Sequence, residues 1–549
     1  MTPLRSLPAL AALLLVLAAP VAGAADQPVL SVAATTAGLD QQTSGGFAPP
    51  DVQVAAGPGY VVEMVNLELR IWRVSGGRLT AVSTDTLADF FRVGDDLSDP
   101  RILYDTQSGR WFASITTIDG DSVLLATSAS ADPTGDWTVT GLDAPGCADQ
   151  PRLGTSDGLV VVAADVFSNC ASERFARARG AELWLLSKAD LLAGSTAPAQ
   201  TTYGPTLAYS SLTPAHSLSS TATEYAVSLD DGASSVLHVL ALAGAPPNVT
   251  VREVATPAIR PVSTPPNATE PTGAGGGVAD VLTNDSRVLD AIWESGRLWF
   301  SANTGCVPTG TTETHACGRI AELATPAGTV TWQTDLSYPG ADVFFPSLRP
   351  DGAGDVVAVY GRSSATQAPS VEAVARTSDG TFSAPVVLAQ SAGPAGGSNG
   401  GRWGDYFGSS RDPRDPALVW VAGQTVDDEA EWTTTVAAVT LGAAPPVVAA
   451  SGPPAVKARP ARGTPGRPVR LSFLALGNGS GIRRKVTVNG LGKVVFATTT
   501  KPGPVHAQQA YSVVWKPAKT RRGRFRFCVR FVAADGTQSP ASCAFVTLR

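Results

Sequence analysis

Three arginines recur at one point of a repeated pattern. Arg101, Arg152 and Arg287 each follow a Pro or Ser, with Asp99, Asp149 and Asp285 two or three residues before them. Guanidinium is the side chain that grips a carboxylate through two parallel hydrogen bonds. If these positions open the innermost strands of a radial fold, the three groups meet at one mouth and can hold an acidic ligand. The competing arrangement pairs each Arg with its neighbouring Asp and ties adjacent sheets together. The same channel-facing Asp residues offer hard oxygen ligands that suit calcium. Trp403, between a Gly-rich loop and Gly404-Asp405-Tyr406, is placed to reach the mouth and stack on a sugar ring, with packing between sheets as its other role. His216, His238, His315 and His506 form no metal or nucleophile pattern, and the chain carries no phosphate-cradling loop and no HExxH. No cofactor is expected apart from that calcium.

The positions are set by repeated hairpins. DPRILYDTQSGRWFASI, from Asp99, reads as a strand, a Ser108-Gly109 turn and a second strand of aromatic and β-branched residues. Variants begin near Pro50, Pro100, Pro151, Pro214, Ser286, Pro346 and Asp405, at spacings of 50, 51, 63, 72, 60 and 59 residues. These intervals exceed those of solenoid repeats and fit four-stranded propeller blades with long loops. The expected fold class is all-β, a seven-bladed β-propeller followed by a small β-sandwich, with five, six or eight blades as alternatives.

In chain order, residues 1–24 read as a signal peptide: Arg5, an apolar run from Leu10 to Ala19, and Ala22-Gly23-Ala24 before the cut. Residues 25–48 are a lead-in able to supply a closing strand, and 49–442 are the propeller. Residues 443–468 form a Pro-rich, semi-extended linker. Residues 469–549 alternate apolar and polar side chains as a β-sandwich does. Whether Leu183–Leu192 is helix or strand stays open. The six cysteines fall in local couples, Cys147 with Cys170, Cys306 with Cys317, and Cys528 with Cys543, which an oxidising compartment would join as three disulfides. No transmembrane segment is expected once the signal is cut. The product is expected to be a secreted or surface-associated monomer.

Charge divides the chain as the pattern does. Residues 451–549 hold 18 Lys and Arg against one acid, Asp535, while the remainder holds 23 basic against 46 acidic residues. The overall charge of −6 conceals that contrast. A basic module of this kind suits an anionic polysaccharide or cell-envelope polymer by multivalent attraction, or it docks on the acidic ring of its own chain. Secretion and the lack of a stacking platform argue against nucleic acid.

GRWFA, SADPTGDW, GRLWF and RWGDY resemble secreted bacterial β-propellers of the broad sialidase-like and BNR-repeat type, over roughly residues 49–441. The tail resembles immunoglobulin-like or fibronectin-like modules. The resemblance implies glycan binding at the propeller mouth or, in a sialidase-like glycoside hydrolase, an arginine triad for an acidic sugar. It also implies a tyrosine nucleophile beside a carboxylate and a second carboxylate as acid and base. Tyr406 with Asp405, and Asp51 as the acid, are the positions that match. An extracellular protein-interaction scaffold is the third function consistent with this architecture.

Overall fold

A computed structural model of the protein describes residues 27–549, except 95–96, 119, 171–175, 231, 272–279, 396–400, 428–429, 443–452, 455, 476–478, 491–492, 507–508, 535 and 540. The signal-peptide expectation, residues 1–24, lies outside the described residues, as does most of the Pro-rich stretch before Val456. Among the described residues no helix is long and apolar enough to cross a membrane.

Up to Leu441 the described residues form seven successive antiparallel meanders. Their first strands are Gln53–Gly57, Leu97–Asp105, Cys147–Thr155, Thr213–Pro214, Val288–Glu294, Asp342–Pro350 and Gly408–Arg411. Each first strand lies against the next, and Gly408–Arg411 lies against Gln53–Gly57, so the meanders are arranged radially about a common centre. The lead-in behaves as its extended pattern suggested. Strand Leu30–Asp40 pairs antiparallel with Trp432–Leu441, Leu30 opposite Leu441, and completes the last meander. Apolar side chains from adjacent sheets fill the gaps between them, with Val61, Val65 and Trp72 meeting Trp420, Val436 and Val439 across that junction. The fourth meander opens on only two residues, and His216–Ser217 runs parallel to both Thr155 and Ile292–Trp293, bridging its neighbours. Leu183 belongs to strand Ala178–Ser187, and helix Lys188–Leu192 follows, capped by the Ser187 side chain at the Asp190 amide.

The first strands share a backbone feature that positions the site. Asp51, Asp99, Gln150 and Asn284 have φ of 48°, 59°, 47° and 58°. In the second and third meanders these residues fall where the register slips, between Ser98 and Arg101 and between Asp149 and Arg152. Asp99 and Gln150 are thus extra residues turned out of the ladder, while Asp51 and Asn284 take the same left-handed conformation just before their strands, a region that Asp and Asn tolerate better than most side chains.

From Val456 onward two sheets enclose a separate core that includes Leu471, Phe473, Val486, Phe527 and Phe531. Part of the expected linker is strand: Val456–Ala458 pairs with Val469–Ala475, and Ala461–Gly463 runs parallel to Ser542–Leu548. All three expected disulfides are present. The basic module touches the ring, because Arg526 reaches the buried Glu68 carboxylate at 2.8 Å. A cleft of about 290 Å³ lined by Arg70, Thr84, Arg526 and Arg530 adjoins the contact.

Candidate functional site at the ring mouth

These left-handed residues bring their side chains together. Asn66, in the turn after strand Tyr60–Val65, organises two of them. Its amide nitrogen donates to Asp51 Oδ2 at 2.7 Å and to the Pro49 carbonyl at 2.9 Å, and its Oδ1 accepts from the Asp99 amide at 2.8 Å. Asp51 Oδ1 accepts the Asp405 amide at 2.7 Å, and Asp99 Oδ2 accepts the Gln150 amide at 3.1 Å. The Gln150 side chain donates to Asp405 Oδ2 at 2.5 Å, and Asn284 donates to Asp405 Oδ1 at 2.7 Å. One oxygen each of Asp51, Asp99 and Asp405 lie within 4.8 Å of one another, and all three residues are buried.

Crowding three carboxylates out of water separates their acidities. Burial, reinforced by the Asp405 charge, pushes Asp51 up to about 7. Burial, together with Asp149, Asp51 and Asp405, lifts Asp99 well above the usual carboxylate range. Burial acts upward on Asp405 too, yet its ion pair with Arg402, the Arg287 charge and the Asn284 hydrogen bond hold it below that range.

The arginines do not form an open triad. Arg287 makes a two-pronged contact with Asp285, its Nε 2.8 and 2.9 Å from the two oxygens, and donates to Gln150 Oε1 at 2.6 Å. Arg152 pairs with Asp165 at 3.1 Å, not with Asp149. Arg101 pairs with no carboxylate among the described residues. Its guanidinium lies 3.5 Å above the Tyr406 ring. Behind the carboxylates, Arg101, Arg152, His216, Asp290 and Arg349 line a cavity of about 40 Å³, room for a water or two and far too little for a sugar ring.

Two further expectations are corrected by burial. Tyr406 is enclosed, its hydroxyl donates to the Pro100 carbonyl at 3.0 Å, and burial raises its phenol well above the ordinary value, which leaves no nucleophile there. Trp403 is 1% exposed and packs edge-on against Phe344, so it cannot stack on a ligand. Asp51 and Asp405 are in contact through the Asp405 amide and Asp51 Oδ1. Asp99 is among the Asp residues expected to suit calcium, whereas Gln150, Asn66 and Asn284 enter the site without a sequence expectation. Their signal was available: Asp99, Gln150 and Asn284 occupy equivalent places just before a Pro or polar residue at strand starts.

A roomier cleft of about 540 Å³ adjoins the mouth, with Leu207, Tyr209, Asp230, Asp285 and Arg287 in its wall. Leu207 is 74% exposed there, and Tyr209 is half-buried with its hydroxyl 2.9 Å from Glu253.

Fold and site together define an all-β protein of radially repeated sheets with a carboxylate-lined centre. No protein-family model and no curated protein matches the sequence, so nothing at the sequence-family level supports the sialidase-like resemblance. Among solved structures, a protein of unknown function from Dyadobacter fermentans aligns at 10% identity over 75% of this chain and 99% of its own, with a TM-score of 0.37. An alpha-L-arabinofuranosidase from Lactobacillus brevis aligns at 14% identity over 52% and 92%, with a TM-score of 0.26. An endo-arabinase from Bacteroides thetaiotaomicron aligns at 10% identity over 63% and 94%, with a TM-score of 0.28. None of these TM-scores reaches 0.5, and the functional reading rests on the geometry of the site.

Proposed function

We propose that the chain is a secreted glycan-binding protein: a seven-bladed β-propeller that holds a polysaccharide on its mouth face, with a basic immunoglobulin-like module that anchors it to anionic polymer. The observation that carries this reading is the cleft beside the mouth. Its volume lies within the roughly 300–1,000 Å³ of ordinary ligand pockets, and its wall sets Tyr209 and Leu207 beside Asp230, Asp285 and Arg287. An apolar platform flanked by charged donors and acceptors is what a sugar ring with hydroxyls at its edge requires. The narrow central cavity keeps the ligand on the face. The three disulfides fit an extracytoplasmic setting.

The test is retention of the mature protein on immobilised acidic and neutral glycans, with mass spectrometry of the supernatant. Binding that falls at least tenfold in Leu207→Asp and Tyr209→Ala, with no sugar released, is the expected result. Released product would replace this reading with glycoside cleavage. Neither retention nor release would leave a protein-interaction scaffold.

A further inference from the structure

The three carboxylates at the mouth leave something unanswered. Asp51, Asp99 and Asp405 face one another from different sheets, and Arg402 is the only cation in ion-pair contact with any of them among the described residues. Buried like charges at this spacing must be neutralised, either by protons or by a cation held between them. A second observation lies beside Asp51. Gln424 is 2% exposed, and its Oε1 has no hydrogen-bond partner. Its amide nitrogen is tied to the Trp403 carbonyl, which fixes which way round the amide lies and turns the oxygen away from that carbonyl. A Cβ at position 404 would stand 3.0 Å from Gln424 Oε1 and 3.3 Å from Asp51 Oδ1. Gly404 therefore leaves open a space bordered by both an unpartnered carbonyl oxygen and an Asp51 carboxylate oxygen.

We infer that Asp51, Asp99, Asp405 and Gln424 form a calcium site at the centre of the mouth. The donor set is all hard oxygen with no imidazole or thiolate, which selects calcium or magnesium over zinc and copper. Ligand number then favours calcium: magnesium gives up its waters reluctantly and usually takes only one or two carboxylates, whereas calcium accepts about six to eight oxygens from protein cages, and three carboxylates converge here. Four protein oxygens leave coordination positions for water or ligand hydroxyls. The site stands whether or not the mouth face holds a glycan, because water can fill its remaining positions.

The experiment is calorimetric titration of the full chain, stripped with chelator and free of glycan, with calcium and separately with magnesium, alongside thermal unfolding in each. One ion per chain, a higher unfolding temperature in calcium, and affinity at least tenfold weaker for magnesium are expected. Asp99→Asn should weaken calcium at least tenfold. Gly404→Ala, which fills the gap while every carboxylate residue is kept, should do the same and serves if Asp99→Asn fails to fold. No heat and no unfolding shift in the wild type, or calcium affinity unchanged in a folded variant, would overturn the site. Equal affinity for magnesium would overturn the assignment to calcium. Because no glycan is present, failure here leaves the glycan reading intact, and failure of glycan retention leaves this one intact.

Discussion

Glu224 lies fully buried in strand Thr223–Leu229, and burial pushes its carboxyl well above the usual range although the Lys188 charge pulls the other way. The native chain therefore keeps a proton there at pH values where the unfolded chain has lost it. Stability falls as pH rises from about 4.5 toward the native value, by up to about 1.4 kcal/mol per pH unit. Glu224→Gln removes that term, so the variant should match the wild type at pH 4 and exceed it at pH 8 in chemical denaturation. Parallel pH curves for the two proteins would show that the linkage is absent. The same scale explains what could be read without coordinates. Asp51 and Asp405 stand at strand starts that the repeat marks, whereas sequence could not choose between the roles open to Arg101 and Trp403, because it shows a side chain's type and not its exposure. Gln150 and Asn284 escaped notice because an amide has no charge to mark it, and only the left-handed backbone turns it toward the carboxylates.

At the scale of elements, hairpins were the most legible feature, since alternating apolar residues around a Gly turn leave few other folds for a segment. The closing role of Leu30–Asp40 was readable as an extended pattern before the first repeat. His216–Ser217 was not readable, because a two-residue parallel bridge has no period. Nor were the strands Val456–Ala458 and Ala461–Gly463, whose Pro-rich surroundings suggested a linker. Cysteine couples were informative because local pairing joins neighbouring strands. Cys528 and Cys543 face each other across strands Gly523–Val532 and Ser542–Leu548, with 15 residues of separation. A cross-link of that length stabilises by about 3 kcal/mol through the unfolded chain. The double Cys528→Ser, Cys543→Ser variant should lose about that much in the C-terminal module, measured by denaturation at constant pH. An unchanged midpoint would mean that the sheets alone hold the hairpin.

The whole molecule joins an acidic ring to a basic module, and their charges meet at one buried point. Glu68 is 2% exposed and depends on Arg526, which is 26% exposed. Removing one partner of a fully buried pair costs roughly 3–5 kcal/mol; with Arg526 partly in water, Arg526→Ala should cost about 2 kcal/mol, while the exposed Arg522→Ala should change stability by less than about 0.5 kcal/mol. Equal effects of the two would show that the contact is dispensable. The pairing of Leu30 with Leu441 also has a bearing on timing. The strand Leu30–Asp40 forms the outer edge of a sheet whose other strands are made some 400 residues later. At roughly 5–20 residues per second, synthesis leaves that strand waiting on the order of 20–80 s for its partner. During that interval its backbone donors and acceptors are open to any other extended segment. The clasp that joins the two ends thus makes the ring an all-or-none product of the nearly complete chain, and it makes the nascent protein a natural client for whatever shields extended polypeptide until its last meander arrives.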